Sequence, residues 1–314
     1  MRLAVTLGDP RGIGPEVAAA AARSLAREPG RPRLIFIGPE GTGAEAAADE
    51  FIPVGRWSDG DAARAGALAG RAIDIAAGLA LEGEVDALVT APIDKAALHA
   101  GGFDFPGHTE MLAARAGGVR VAMMMVAEAT LSGGPLRVVL ATTHIPLADV
   151  PSALTTDLLV EQGRLTAEGL RRGWAIDRPR IALCAVNPHA SDGGLFGDEE
   201  VRVLMPARDR LREAGIAATG PVPADTVFVR ALRGEFDAVL APYHDVGMAA
   251  FKTASFGHGV NLTVGLPFVR TSPDHGTALD IAGRGAADPS SMLEAVRLAA
   301  RLASRWPRGR GSDA

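Results

Sequence analysis

The sequence predicts an α/β protein built from two α/β/α domains with mostly parallel sheets. A chain of 314 residues is too long for one ordinary hydrophobic core, which favours two domains or one large α/β unit. Short apolar runs closed by turn residues alternate along it with amphipathic helical patterns. This alternation is typical of a parallel sheet covered by helices.

The predicted elements follow that alternation from the N-terminus. Strands are expected to begin near Leu3, Arg33, Asp86, Val119, Arg137, Arg180, Asp237 and Asn261. Long helices are expected over residues 15–27, 61–81, 156–172, 199–214 and 289–304. Pro15 supports the first helix, because proline is favoured in a first helical turn, where its missing N–H is not needed.

Composition excludes several classes of partner. The net charge of -5 gives no electrostatic reason to expect binding to nucleic acid or to an anionic membrane. The single cysteine, Cys184, excludes an intrachain disulfide and fits a reducing compartment. No apolar run reaches membrane-spanning length and no signal-peptide pattern is present, so the chain is expected to be soluble and cytoplasmic.

Three histidines each lie just past an apolar run. His144 follows residues 137–143, His189 follows residues 180–188, and His244 follows residues 237–243. The carboxyl ends of strands are where open α/β sheets place their ligands. One histidine in such a place is usually a polar loop residue, but three imidazoles can converge on one divalent metal ion and leave a coordination position open for a substrate oxygen. The pattern predicts a metal-dependent enzyme.

Lysine is almost absent from the chain. Lys95 and Lys252 are its two lysines, although Lys and Arg together number 32. Either codon bias left these two by chance, or each is kept where a compact ammonium with an adjustable pKa is needed.

Residues 12–17 begin like a dinucleotide fingerprint, but Val17 stands where the third glycine belongs, so a standard Rossmann site is rejected. The glycines of this loop still permit close approach of the backbone to a ligand.

Several ordered blocks carry a family resemblance. Residues 272–285 (SPDHGTALDIAGRG) resemble the adenosine-binding loop of the isopropylmalate and isocitrate dehydrogenases, and residues 8–16 (GDPRGIGPE) resemble their N-terminal loop. A closer resemblance is to the 4-hydroxythreonine-4-phosphate dehydrogenase (PdxA) family. Its blocks appear in order at residues 107–110 (GHTE), 143–147 (THIPL), 187–190 (NPHA), 220–226 (GPVPADT), 243–245 (YHD), 259–261 (GVN) and 265–271 (GLPFVRT).

The resemblance implies a role for each matching residue. The metal ligands are His144, His189 and His244, and the substrate-binding residues are His108, Thr109, Lys252, Asn261 and Arg270. The cofactor-binding residues are His275, Gly276, Thr277, Ala278 and Asp280. A carboxylate at Asp280 favours a free ribose 2′-hydroxyl over a 2′-phosphate, so NAD is expected rather than NADP. The family also implies a homodimer whose active sites are shared between subunits.

The implied domains are discontinuous. Residues 1–105 and 272–305 form the first domain, with the adenosine loop, and residues 106–271 form the second, with the metal ligands, substrate residues and dimer contacts. The active-site cleft is expected between them, and residues 306–314 form a mobile tail.

The implied reaction is NAD-dependent oxidation of 4-phosphohydroxy-L-threonine in pyridoxal phosphate biosynthesis. The product, 2-amino-3-oxo-4-phosphonooxybutanoate, loses CO₂ to give 3-amino-2-oxopropyl phosphate. Lys95, its pKa lowered by burial near a cation, is one candidate base and a metal-bound water is another. Asp225 is a candidate for orienting a substrate group, although isolated aspartates more often cap helices. Three imidazoles suit Zn²⁺ or Co²⁺ better than Mg²⁺. A weakly bound Mg²⁺ that exchanges in the cell remains an alternative.

The sequence leaves other functions open. Val246 stands where many family members carry glutamine, which reflects either drift or a different phosphorylated hydroxy acid as substrate. A D-threonate or D-erythronate 4-phosphate dehydrogenase is therefore the first alternative. A dihydrodiol carboxylate dehydrogenase is disfavoured, because such members lose the block retained at residues 107–110. A phosphate acetyltransferase-like enzyme and a non-catalytic binding protein are further alternatives. The three histidines and the Asp280 loop argue against the former, and retention of the site residues argues against the latter.

Overall fold

The computed structural model describes residues 1–306, and by contact these form two compact units. Unit 1 comprises Met1–Arg120 and the described part of Val260–Ala314, and unit 2 comprises Val121–Gly259. Of the tail predicted at 306–314, Trp306 is described and the rest lies outside the described residues.

The strands and helices alternate as the sequence predicts. The strands are β1 (Arg2–Thr6), β2 (Arg33–Glu40), β3 (Glu50–Arg56), β4 (Ala87–Thr90), β5 (Ala122–Ala127), β6 (Leu136–Leu140), β7 (Arg180–Cys184), β8 (Ala217–Val222), β9 (Ala238–Ala241), β10 (Val260–Val264) and β11 (Val269–Pro273). The helices are α1 (Gly14–Leu25), α2 (Ala62–Leu81), α3 (Lys95–Ala100), α4 (His108–Arg115), α5 (Val150–Ala153), α6 (Thr156–Trp174), α7 (Met205–Glu213), α8 (Ala224–Leu232), α9 (His244–Ser255) and α10 (Ser290–Ala303).

Unit 1 carries the strand order β3-β2-β1-β4-β11-β10. These strands pair in parallel except for β10, which runs antiparallel to β11. Val5 of β1 lies beside Phe36 of β2 and Val89 of β4, and all three side chains are buried. Strands apolar on both faces are typical of a parallel sheet covered by helices.

Unit 2 carries the strand order β5-β6-β9-β7-β8. Here β5 runs antiparallel to β6, and the other pairs are parallel. Val138 and Leu140 of β6 pack with Val239 of β9 and Phe251 of α9 in one buried cluster. The predicted α/β class with mostly parallel sheets is confirmed in both units.

Helix starts have identifiable causes. The side chain of Asp61 accepts a hydrogen bond from the N–H of Arg64 at the start of α2, and Thr155 does the same for Leu158 in α6. Such caps satisfy N–H groups that have no partner inside the helix. The helix predicted over residues 199–214 begins instead as a π-helical turn, Glu200–Leu204, before α7.

The contact division differs from the predicted domain boundaries in two segments. Residues 106–120 and 260–271, assigned above to the second domain, lie in unit 1. Arg115 of α4 forms an ion pair with Asp74 of α2 at 2.7 Å, and β11 pairs with β4. These contacts attach both segments to the sheet of unit 1. Among residues 1–306, no helix is long and apolar enough to cross a membrane.

Candidate active site

Arg270 is a buried cation whose hydrogen-bond partners are neutral. Its side chain on β11 is 2% exposed. Its Nε and Nη2 donate to Thr90 Oγ1 at 3.2 and 2.6 Å, and its Nη1 donates to Thr263 Oγ1 at 2.9 Å. Burial lowers the pKa of Arg270 to about 10. A buried guanidinium held by hydroxyl groups rather than by a carboxylate suits an anionic ligand.

Strand register places Asn261 on the same face as Arg270. Thr263 pairs with Arg270, and Asn261 pairs with Ser272, in the antiparallel β10·β11 ladder. Paired residues point to one face of a sheet, as do residues two apart along a strand. The Oδ1 atom of Asn261 is buried and accepts no hydrogen bond from residues 1–306. An unsatisfied amide oxygen beside a cation suits a ligand that carries both a donor and an anionic group.

His108 begins α4 and is held neutral. Burial lowers its pKa well below the usual 6.5, and the positive charges of Arg270 and Lys95 lower it further. Its Nε2 atom is buried without a hydrogen-bond partner among the described residues. Thr109 is the next residue, and the unpaired N–H groups at such a helix start favour anions. Four predicted substrate residues therefore lie in unit 1, whereas Lys252, exposed on α9, lies in unit 2.

Lys95 is exposed as the first residue of α3, so the predicted burial of this lysine is wrong. A Cβ atom added to Gly107 would lie 3.7 Å from Lys95 Cε, which places the lysine stem against the start of α4. Asp94 caps α3 through the N–H of Ala97 at 3.0 Å. Asp225, the other predicted catalytic residue, is exposed in the first turn of α8 and is not its cap residue.

Arg11 joins the N-terminal loop to the start of α3, a link that the sequence motifs do not predict. Its guanidinium contacts the buried Asp9 carboxylate at 2.6 Å and Asp94 at 3.3 Å. The Asp9 side chain is 1% exposed. The sequence signal was the position of Arg11 between an aspartate and a glycine-rich turn, where a charge partner is expected.

The two loops that resemble nucleotide-binding segments contact each other. The N–H of Ile13 donates to the carbonyl of Thr277 at 2.9 Å, and the N–H of Gly283 donates to Glu16 Oε2 at 3.2 Å. A Cβ at Gly12 would lie 2.7 Å from the Thr277 carbonyl oxygen. Glycine at this position therefore allows the backbone of the first loop to approach the second loop closely.

The second loop keeps polar groups available for a ligand. Asp280 is exposed, and the Nε2 atom of His275 is buried without a partner among the described residues. Gly276, Thr277 and Ala278 lie in the same non-helical segment, where Ala278 has a φ of 41°.

Two of the three predicted metal ligands lie together in unit 2. The ring centroids of His144 and His244 are 5.5 Å apart. His244 opens α9, and its Nδ1 atom lies 2.8 Å from Asp245 Oδ1. His189 is exposed in a separate loop, and within residues 1–306 no set of three or more His, Cys, Asp or Glu side chains is arranged to hold a metal ion.

Comparison with known proteins decides the family. The profile described as "Pyridoxal phosphate biosynthetic protein PdxA" matches residues 44–299. A 4-hydroxythreonine-4-phosphate dehydrogenase from Caulobacter vibrioides is 44% identical, with 96% of this chain and 98% of that protein covered. The chain belongs to the PdxA family. It is therefore an oxidoreductase of pyridoxal phosphate biosynthesis, the class of the relatives that carry this family name.

Solved structures agree with this assignment. The PdxA-family chain is similar to the crystal structure of a 4-hydroxythreonine-4-phosphate dehydrogenase from Klebsiella pneumoniae, with a TM-score of 0.85, 38% identity and coverage of 96% and 98% of the two chains. A β-decarboxylating dehydrogenase from Thermococcus kodakarensis, at 18% identity and a TM-score of 0.51, covers 96% of this chain and 83% of its own. This second likeness shows the shared dehydrogenase fold alone.

Proposed function

We propose that this PdxA-family chain oxidises 4-phosphohydroxy-L-threonine to 2-amino-3-oxo-4-phosphonooxybutanoate, using NAD and a divalent metal ion. The observation that carries the proposal is the buried Arg270 guanidinium, whose three hydrogen bonds all go to threonine hydroxyls. The negative charge of Glu110 acts on Arg270 from nearby, but no carboxylate is hydrogen-bonded to the guanidinium, so an anionic substrate can bind it directly. The product is a β-keto acid, which loses CO₂ to give 3-amino-2-oxopropyl phosphate.

The unit 1 residues would bind and orient the anionic part of the substrate. Arg270 has five N–H donors, and three of them are used by the two hydroxyls, which leaves one on each terminal nitrogen for phosphate or carboxylate. Thr109 would add a neutral donor at the start of α4, and the neutral imidazole of His108 would add a hydrogen bond without a second positive charge. Asn261 would accept from a substrate donor, and Lys252 would supply a further cation.

Removing hydride from the substrate carbon requires that the hydroxyl proton also leave. Lys95 is the proposed acceptor in its uncharged form, because its stem lies against the start of α4 beside His108. Asp225 is the proposed orienting group at the start of α8. When bound, NAD supplies the hydride acceptor and the metal ion supplies positive charge beside the alcohol.

The described loops fit NAD. The exposed carboxylate of Asp280 can accept hydrogen bonds from ribose hydroxyls, and a 2′-phosphate beside it would be repelled. The buried Nε2 of His275 has an unused hydrogen-bonding position. These two groups, with the backbone of Gly276, Thr277 and Ala278, would hold the adenosine half of the cofactor.

The histidines fit a divalent metal ion in their chemistry. His144 and His244 present imidazoles close together, and the carboxylate of Asp245 contacts Nδ1 of His244, which leaves Nε2 of that ring for a metal. Carboxylates commonly orient metal-binding imidazoles in this way. His189 would complete the set, and imidazole ligands favour Zn²⁺ or Co²⁺ over Mg²⁺.

A homodimer is supported by exposed apolar side chains near the histidines. Leu147 is 66% exposed close after His144, and Leu195 and Val201 are 77% and 59% exposed along the chain after His189. Large apolar side chains this exposed are candidates for contact with a protein partner. A second copy of the chain is the proposed partner, and light scattering in solution will show a dimer mass if this proposal is right.

The test is NADH formation by enzyme first freed of metal with a chelator. We expect activity with 4-phosphohydroxy-L-threonine only after Zn²⁺, Co²⁺ or Mg²⁺ is restored, and loss of that activity in His189→Ala. His99→Ala, which alters an exposed histidine paired with Asp104, serves as the matched control and is expected to stay active. Metal-independent activity would contradict the proposal.

Val246 favours one alternative substrate class. Its side chain packs against the apolar cluster of unit 2, two residues after His244, and it places no polar group there. The assay therefore includes D-threonate 4-phosphate and D-erythronate 4-phosphate. Faster turnover of either compound would keep the site chemistry and replace the substrate.

A further inference from the structure

The backbone that carries His189 adopts an unusual left-handed conformation. Six consecutive residues have positive φ, from His189 at 53° through Ala190, Ser191, Asp192 and Gly193 to Gly194 at 100°. Four of the six carry a Cβ atom, which crowds the following carbonyl in this conformation. Such a run persists only when surrounding contacts hold it, so some group must fix this loop.

Glu200 makes those contacts. Its side chain is 1% exposed, and its Oε1 atom accepts hydrogen bonds from the N–H groups of Val186 and Asn187 at 2.9 and 2.8 Å. Its Oε2 atom accepts from Asn187 Nδ2 at 2.9 Å and from the hydroxyl of Ser191. One carboxylate thus ties the residues before His189 to the residue two positions after it.

The carboxylate is mounted on a fixed element. Glu200 opens the π-helical turn that leads into α7, and Val203 and Leu204 in the same turn are 4% and 1% exposed. The hydroxyl of Thr156 in α6 donates to the carbonyl of Val203 at 3.2 Å. By contrast, residues 192–198 are exposed, so Glu200 is a main anchor of the loop.

We propose that Glu200 is a positioning residue that holds the His189 loop in its left-handed turn and so fixes the imidazole for metal binding. The part concerning metal rests on the proposed function. A carboxylate accepts from all four donors, whereas an amide at this position would present its own N–H group to the Nδ2 donor of Asn187. Burial alone would raise the pKa of Glu200, but the accepted hydrogen bonds outweigh it and lower the pKa.

The matched control is the neighbouring Glu199. Its carboxylate accepts from Asn187 Nδ2 at 2.6 Å, whereas Glu200 also holds two backbone N–H groups. We compare Glu200→Gln with Glu199→Gln by hydrogen–deuterium exchange over residues 186–197 in metal-free protein. Glu200→Gln is expected to speed this exchange, and Glu199→Gln is expected to change it little. Ser191→Ala removes one donor and gives a smaller increase, which keeps the test available if Glu200→Gln folds poorly.

The second readout is Co²⁺ affinity, followed by the visible absorption of the bound ion. Removing a partner that orients a metal ligand lowers affinity by roughly 10- to 100-fold, so we expect a loss of about that size for Glu200→Gln. Affinity for NAD is expected to stay at the wild-type value, since the proposed cofactor residues lie in unit 1. A fall in both affinities would indicate general damage and would overturn the positioning role.

Other outcomes separate the two proposals. Wild-type exchange in both Glu200→Gln and Ser191→Ala overturns the role of Glu200. Faster exchange with unchanged Co²⁺ affinity also overturns it, provided that His189→Ala binds Co²⁺ weakly. Unchanged Co²⁺ affinity in His189→Ala instead removes His189 from the proposed metal site, and the exchange data then decide the anchoring role alone.

Discussion

Replacing Arg270 with methionine tests the anion site directly. Two N–H donors of the guanidinium are unused by Thr90 and Thr263, so a bound phosphate or carboxylate gains two charge-assisted hydrogen bonds. Each such bond contributes about 1.5–3 kcal/mol, which gives about 3–6 kcal/mol for the pair. At 1.4 kcal/mol for each tenfold change, substrate affinity is expected to fall by roughly a hundredfold to ten-thousandfold.

Arg137→Met is the matched control for this experiment. Arg137 is also a buried arginine, 7% exposed, but it pairs with Glu128 at 3.6 Å and lies over the Trp174 ring at 4.6 Å. Its removal is expected to lower the free energy of unfolding by about 1–3 kcal/mol and to leave substrate affinity unchanged. Arg270→Met is expected to cost less stability, because Glu110 acts on Arg270 only through its charge and no directly hydrogen-bonded carboxylate is left behind.

Calorimetric titration with 4-phosphohydroxy-L-threonine measures the affinity, and urea unfolding measures the stability. The two variants should show opposite signatures, with lost binding in Arg270→Met and lost stability in Arg137→Met. Wild-type substrate affinity in Arg270→Met, together with a stability loss like that of Arg137→Met, would refute the assignment of Arg270 to substrate binding.

Three further predictions concern single side chains. His108 is held neutral with a lowered pKa, so the unfolded state binds one more proton below about pH 6.5. The free energy of unfolding should therefore fall by up to about 1.4 kcal/mol per pH unit on acidification. Urea unfolding between about pH 7 and 5 should show that the free energy of unfolding depends less steeply on pH in His108→Gln than in the wild type. An equal slope in the two proteins would contradict this. Burial raises the pKa of Cys184 to about 12, so a thiol reagent should label it only after unfolding. Rapid labelling of the native protein would contradict this prediction. Arg11→Met leaves the buried Asp9 carboxylate unpaired and should cost roughly 3–5 kcal/mol of stability by urea unfolding. Part of that loss should return in the double variant with Asp9→Asn, and no recovery would mean that the pair is not the cause.

Most of the strands that the sequence predicted contain continuous apolar runs. The runs beginning near Leu3, Arg33 and Arg180 correspond to β1, β2 and β7. Strands buried on both faces consist mainly of apolar residues, so their composition identifies them in the sequence. The edge strands β3 and β8 were not predicted. Their sequences, EFIPVGR and AATGPV, contain proline and glycine, which disfavour a strand prediction and are tolerated at sheet edges.

The missed central strand β11 shows why site residues resist prediction. Its sequence VRTSP carries Arg270 at a buried position, and a buried charge contradicts the local pattern of a core strand. Such conflicts are expected where function determines the residue. Likewise, the sequence placed His144 and His244 after strands but gave no distance between them, because that distance depends on the β6·β9 pairing.

The Glu200 contacts were also invisible in the sequence. The helical pattern at residues 199–214 predicted an amphipathic helix. In the structure, the buried side chain of Glu200 instead accepts hydrogen bonds from the preceding loop. Four hydrogen bonds converge on this one side chain from residues nine to fourteen positions earlier. Such a contact follows from the path of the loop and not from helical spacing.

The most direct test of the account is the stoichiometry of the reaction with 4-phosphohydroxy-L-threonine. Metal-restored enzyme is supplied with a limiting amount of substrate and excess NAD, and NADH and CO₂ are measured together at completion. We expect one NADH and one CO₂ per substrate with the wild-type chain and none with His189→Ala. Consumption of substrate without NADH, or the same NADH yield from metal-free enzyme, would contradict it.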